Sequence, residues 1–141
     1  MANAADELKQ VPFFEGLSER HLKRLATKFK ERRFAPGTSV VQEGKMSGIG
    51  FFIITEGEAS VVVDGNEVTT LGRGDHFGEL ALIAERERTA TVTAQTPLSC
   101  LEITAWDLRD FVKSDPDVSW RLLQYVVGLF LVERGSPGGR P

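Results

Sequence analysis

The stretch GDHFGELALIAERERTATVTA, residues 74–94, packs three different elements into one short span. Gly72-Arg73-Gly74-Asp75 reads as a tight turn leading into Phe77-Gly78-Glu79. Leu80-Ala81-Leu82-Ile83 is apolar and predicts one or two turns of helix. Arg88 then heads the alternating run Thr89-Ala90-Thr91-Val92-Thr93-Ala94, whose β-branched residues and period of two predict a strand.

That order implies a particular chemistry. Gly78 has no side chain, so backbone N–H groups at the start of the short helix can come close to an anion. Unpaired N–H groups and the helix dipole suit a phosphate. Arg88 would add a planar, permanently charged fork that matches phosphate oxygens. Its register places it with Ala90, Val92 and Ala94 on the core side, where an unpaired guanidinium is costly. Glu79 cannot share the phosphate, because two anions repel, and is assigned to a ligand hydroxyl beside it. The implied guest carries one phosphate and one free hydroxyl. A structural ion pair between Glu79 and Arg88 is the alternative, but it would leave Gly78 without a purpose.

Residues 77–92, FGELALIAERERTATV, resemble the phosphate-binding cassette of cyclic-nucleotide-binding domains. That family includes the catabolite activator protein and the regulatory subunits of cyclic-nucleotide-dependent kinases. The resemblance runs from about Val11 to about Glu133. It implies that Glu79 accepts from the ribose 2′-hydroxyl and that Arg88 pairs with the cyclic phosphate. It further implies backbone contacts at Gly78, Ala81 and Thr89, with Leu80 between them. The loop Ala84-Glu85-Arg86-Glu87 departs from the pattern: it lacks the proline often found before the arginine and adds two carboxylates. Thr89 is compatible with cyclic AMP, the favoured ligand, and with cyclic GMP.

The rest of the chain is consistent with one such domain. Its 141 residues, 41% hydrophobic, are enough for a sizeable core, and a net charge of −3 gives no pull toward nucleic acid or anionic membrane. A single cysteine, Cys100, cannot form an internal disulfide and reads as a buried small apolar residue. Neither a secretory signal nor a membrane-length apolar run is visible, so a cytoplasmic location is expected.

The domain is assigned to residues 1–134, with an N-terminal helical part at about 4–30. A helix from about Ala4 to Gln10 stops at Pro12, and Phe13 and Phe14 form an apolar anchor. Ser18 caps a helix predicted over Glu19–Lys30, with Leu22, Leu25, Ala26 and Phe29 on one face. Its opposite face and the residues after it are basic (Arg20, Lys23, Arg24, Lys28, Lys30, Arg32 and Arg33). Without interleaved aromatics this reads as a solvated face rather than a nucleic-acid surface.

From about 34 to 103 the pattern is short strands and turns. Ala35-Pro36-Gly37-Thr38 is a turn, Val40-Val41 a strand, and Phe51-Phe52-Ile53-Ile54 an interior strand. Ala59 to Val63 and Val68 to Leu71 form a hairpin about Asp64-Gly65-Asn66. Leu98 to Ile103 is the last strand. This spacing predicts a β-barrel or jelly roll. The family resemblance implies an eight-stranded jelly-roll barrel, mainly β with flanking helices.

C-terminal helices occupy about 105–134. Thr104 and Asp107 cap a helix to about Lys113, and Asp115-Pro116 opens a longer one to about Arg134. The long helix carries two apolar stripes. One is Val118, Leu122, Tyr125, Val126, Leu129 and Val132; the other is Trp120, Leu123, Val127, Phe130 and Leu131. Burial of the second stripe by a twofold partner is favoured over packing within one chain. Residues 135–141 read as a flexible tail or truncated linker. The helix-turn-helix found next in the transcription-factor branch of the family is absent from this sequence.

The functional expectation is a non-catalytic sensor without resident metal or cofactor. It binds a cyclic nucleotide and passes occupancy through the C-terminal helix to a second protomer, a neighbouring domain or an effector protein. Trp120, Tyr125, Leu129, Glu133 and Arg134 lie where base-covering residues arise in the family, though each reads first as core. His76 reads as a loop residue. Two other classes compete with this expectation. A ligand-free jelly roll used for interaction conflicts with an intact Glu79 and Arg88. A cupin-type metalloenzyme lacks ligands, since only His21 and His76 are present.

Overall fold

The computed structural model describes residues 4–45, 50–78 and 88–135. Helix α1 (Ala4–Lys9) and a 3₁₀ turn (Pro12–Phe14) lead to α2 (Glu19–Ala26). Eight strands come next among the described residues: β1 (Lys30–Phe34), β2 (Ser39–Val41), β3 (Gly50–Glu56), β4 (Ala59–Val63), β5 (Asn66–Leu71), β6 (His76–Phe77), β7 (Thr91–Ala94) and β8 (Leu98–Thr104). Helices α3 (Ala105–Ser114) and α4 (Pro116–Gly135) complete them.

The strands form two four-stranded antiparallel sheets, ordered β1-β8-β3-β6 and β2-β7-β4-β5. The expected barrel is therefore not closed: among the described residues no ladder joins the two sheets. They pack face to face instead, through Phe52, Ile54, Phe77, Leu98 and Cys100 of the first against Val41, Ala59, Val92 and Ala94 of the second. Alternation explains the layering. Along β3, Phe52 and Ile54 face the second sheet, while Phe51 and Ile53 face the helices in a second core with Phe14, Leu25, Phe29, Ile103 and Val118. Thus the central strand is apolar throughout because both its faces are covered, and Phe51 packs edge-on against Phe14 and Phe29. The β4–β5 hairpin turns as its sequence demands, with Asp64 at φ 51° and Gly65 at φ 79°.

The helix predicted over Glu19–Lys30 stops four residues early, at Ala26. Ser18 caps it as expected, its hydroxyl accepting from the His21 N–H at 3.2 Å. Lys30–Phe34 is a strand, so the sheets begin before residue 34. Its charge pattern hid it: KERRF is an edge strand, where exposed charges discourage further pairing, and it shows no apolar alternation. The basic run is consequently split between helix and strand. Arg24 lies over the Phe111 ring, and Arg32 pairs with Glu102.

The C-terminal helices conform to their caps. The Thr104 hydroxyl accepts from the Asp107 N–H at 3.2 Å, and Asp115 Oδ1 accepts from the Asp117 N–H at 3.0 Å where α4 begins. The other Asp115 oxygen ties this joint to α2, lying 3.2 Å from His21 Nε2 and 3.5 Å from Arg24 Nη1. His21 is buried, and its Nδ1 has no hydrogen-bond partner among the described residues. Burial alone would raise the Asp115 carboxyl. The Asp117 N–H, His21, the Val118 N–H and Arg24 together outweigh it and hold the group below the usual aspartate range.

A lowered folded-state value means that this carboxylate stabilises the fold above about pH 4, and that the contribution fades as acid protonates it. Asp115→Asn keeps a good cap but removes the titrating charge. The urea midpoint of the variant should therefore fall less between pH 5 and pH 3 than that of the wild type, which parallel denaturation series would register.

Only part of α4 is covered. Val118, Leu122 and Tyr125 pack on the N-terminal segment, Tyr125 edge-on to Phe13. Trp120, Leu123, Val126, Val127, Leu129, Phe130 and Leu131 are exposed. Packing of both stripes within one chain is thereby overturned, and among the described side chains the first stripe is covered only as far as Tyr125. The helix reaches Gly135; the remainder of the expected tail lies outside the described residues.

A candidate anion site around Arg88

β6 ends at Phe77, which stacks on Phe52 with centroids 5.0 Å apart, and the chain then turns at Gly78. Gly78 has φ 102°, a region that side chains with a Cβ rarely enter. Space forbids one as well: a Cβ here would lie 2.5 Å from the Gly50 carbonyl oxygen and 3.0 Å from Arg88 Nη1. The glycine is required both by its backbone angle and by the guanidinium beside it.

Arg88 is 4% exposed. Its Nη1 donates to the Gly78 carbonyl at 3.1 Å and its Nη2 to the Gly50 carbonyl at 2.9 Å. Its own main chain is fixed too, the N–H donating to the Lys45 carbonyl and the carbonyl accepting from the Gly44 N–H, each at 2.9 Å. Burial pulls the guanidinium below the usual arginine range, and the Glu102 carboxylate pushes it back up. A buried cation is thus held in one orientation by backbone dipoles at the junction of β3, β6 and the approach to β7. Such an arrangement can receive an anion with little reorganisation.

The other expected site residues divide three ways. Gly78 and Arg88 are brought together. Thr89 comes next in a bend and is exposed. Glu79, Leu80 and Ala81, with the short helix expected there, lie outside the described residues. His76 is a strand residue rather than a loop residue; it pairs with Ile53, and its ring packs on Phe51 at 5.7 Å. Of the candidate base-covering residues, Tyr125 is core, Trp120 and Leu129 are exposed, and the side chains of Glu133 and Arg134 are not among those described.

Two residues at this site went unnoticed in the sequence. Gly50 supplies a carbonyl to Arg88, and Glu102 supplies a negative charge that acts on it. Glu102 falls two residues after Cys100 on the inward face of β8, so a carboxylate at an otherwise apolar inward position was the available signal. Cys100 is fully buried; burial, then Glu102, push its thiol up to about 12, against the opposing pull of Arg32. It is no nucleophile at neutral pH. Among the described residues no cluster of His, Cys, Asp or Glu could hold a metal ion. Nor is any helix among them long and apolar enough to cross a membrane.

Residues 31–115 match the model of the cyclic nucleotide-binding domain family. The chain is 40% identical over 98 residues to a cGMP-dependent protein kinase of Eimeria tenella, the match covering 70% of this chain and 9% of that protein. It is 41% identical over 93 residues to a cAMP-dependent protein kinase regulatory subunit of Yarrowia lipolytica, covering 64% of this chain and 24% of the relative. The chain therefore spans a quarter or less of these relatives. Among solved structures it is similar to the N-terminal domain of a transcriptional regulator from Streptomyces coelicolor A3(2), with a TM-score of 0.78 and 29% identity over 89% of this chain and 90% of that one.

Proposed function

Since this chain belongs to the cyclic nucleotide-binding domain family, we propose that it is a non-catalytic sensor of a 3′,5′-cyclic nucleotide, cyclic AMP in the first place and cyclic GMP in the second. The observation that carries this reading is the Arg88 guanidinium, buried yet aimed by two backbone carbonyls beside a glycine that tolerates no side chain. The cyclic phosphate meets Arg88 and the N–H groups after Gly78, including those of Leu80, Ala81 and Thr89. Glu79 accepts from the ribose 2′-hydroxyl, which discriminates against 2′-deoxy analogues.

Calorimetry with cyclic AMP and cyclic GMP side by side tests the reading. Saturable binding of one or both is expected, and binding of neither would overturn it. Glu79→Gln should weaken binding of the ribose nucleotide more than that of its 2′-deoxy analogue; equal losses would remove Glu79 from this role.

Occupancy is transmitted through α4, which shifts only by as much as the ligand prefers one helix position over another. The receiver is a second protomer, a neighbouring domain or an effector protein in the cytoplasm, with neither nucleic acid nor membrane as partner. A second copy is supported by the spacing of Trp120, Leu123, Val127 and Phe130. These recur at alternating intervals of three and four residues, the seam of a two-helix coil, and all are exposed, Trp120 at 58% and Phe130 at 54%. Sedimentation should give twice the 15.5 kDa chain mass at micromolar concentration, and Leu123→Glu should return it to the single-chain value. A wild-type chain that sediments as a monomer would remove the twofold partner.

A further inference from the structure

The charge of Glu102 acts on Arg88 against the effect of burial. Glu102 stands opposite Phe52 in the β3–β8 ladder, two residues along from the Gly50–Thr104 pair and so on the same face as Gly50. Its alternation with Leu98 and Cys100 turns it into the sandwich rather than toward the helices. There its carboxylate rests on Gly50, with Oε2 in the space that a Gly50 Cβ would need. The carbonyl of that same glycine accepts from Arg88 Nη2 at 2.9 Å. Carboxylate and guanidinium therefore converge on one backbone unit from two sides. The Glu102 side chain is 14% exposed, so its charge is poorly screened by water. Its Oε1 accepts from Arg32 Nη1, and the Arg32 side chain is 51% exposed.

These three residues form a row of alternating charge that runs from solvent to the anion site. We infer that Glu102 sets the affinity of the site: its carboxylate shares the Arg88 guanidinium with the incoming anion, and Arg32 sets how strongly it competes. Before a ligand arrives, Glu102 compensates part of a buried positive charge and so favours the empty fold. Once a cyclic phosphate is in place, the same carboxylate repels it. Arg32 draws the negative charge outward and tempers both effects. The result is a binding constant held below what Arg88 and the backbone could provide, which suits a sensor that must release its ligand when supply falls.

The inference rests on the cyclic-nucleotide reading, and the signs of two substitutions separate it from a merely structural role. Glu102→Gln keeps size and shape and removes only charge. It is expected to bind cyclic AMP or cyclic GMP about fivefold more tightly in calorimetry at low salt, and to unfold at a lower temperature when ligand-free. Arg32→Gln releases Glu102 toward Arg88 and is expected to bind roughly twofold more weakly, a small effect because the Arg32 side chain is itself half exposed. A structural role alone would lower affinity or leave it unchanged in both. Unchanged or weaker binding by folded Glu102→Gln overturns the inference. Should that variant not fold, undiminished affinity in Arg32→Gln overturns it.

A second readout needs no nucleotide. In the ligand-free protein the Arg88 Nε–H resonance, assigned by its loss in Arg88→Lys, should move and exchange faster in Glu102→Gln, while that of Arg20 stays in place. If the wild type binds neither nucleotide, the sensor reading fails, and this resonance still decides the role of Glu102: movement supports it and constancy overturns it.

Discussion

Arg88→Lys is expected to weaken cyclic-nucleotide binding by roughly 2–5 kcal/mol, the range for breaking a close, desolvated charge pair. Charge is conserved in this change, so the loss measures geometry. The guanidinium reaches the carbonyls of Gly50 and Gly78 with two different nitrogens and so fixes the plane in which its remaining donors lie. An ammonium on a flexible stem cannot satisfy both carbonyls and present a planar fork to phosphate oxygens. Calorimetry of the variant against wild type is the measurement. An unchanged dissociation constant would take the phosphate away from Arg88.

Gly78→Ala should cost roughly 2–5 kcal/mol of folding stability, combining backbone strain with an overpacked contact. The contact at 2.5 Å is with backbone oxygen of the central strand and not with a side chain that can swing aside. Relief therefore requires β3 or the turn itself to move, and either shift disturbs a carbonyl that Arg88 uses. Denaturant unfolding should show the loss, and binding should weaken with it. A variant as stable as wild type would mean that the turn at residue 78 is not held as described.

Most of the fold was legible because its signals are local. Ser18, Thr104 and Asp115 mark helix starts through their own side-chain oxygens, and the Asp64-Gly65 turn needs only its own two residues. Lys30–Phe34 was misread because an edge strand owes its conformation to β8, and nothing within KERRF records that partner. The barrel was expected from strand count and turn spacing, but closure depends on which edges meet, which is a property of the whole sheet. At the site, Gly78 and Arg88 were legible because glycine and arginine have few other reasons to stand together at a predicted turn and strand. Gly50 and Glu102 were not, since they arrive from strands 38 and 14 residues from Arg88 in the chain. The way in which Gly50 acts, through a carbonyl, leaves no trace in residue type.

Cys100 has a practical use that stems from its position. It is the chain's lone thiol, it lies between the two sheets, and burial keeps it protonated at neutral pH. A maleimide can reach it only when the sandwich parts, so the rate of alkylation clocks that opening in otherwise native protein. Any small molecule that closes the fold around Arg88 will slow the clock in proportion to its occupancy. The unmodified chain thus carries its own built-in screen for ligands.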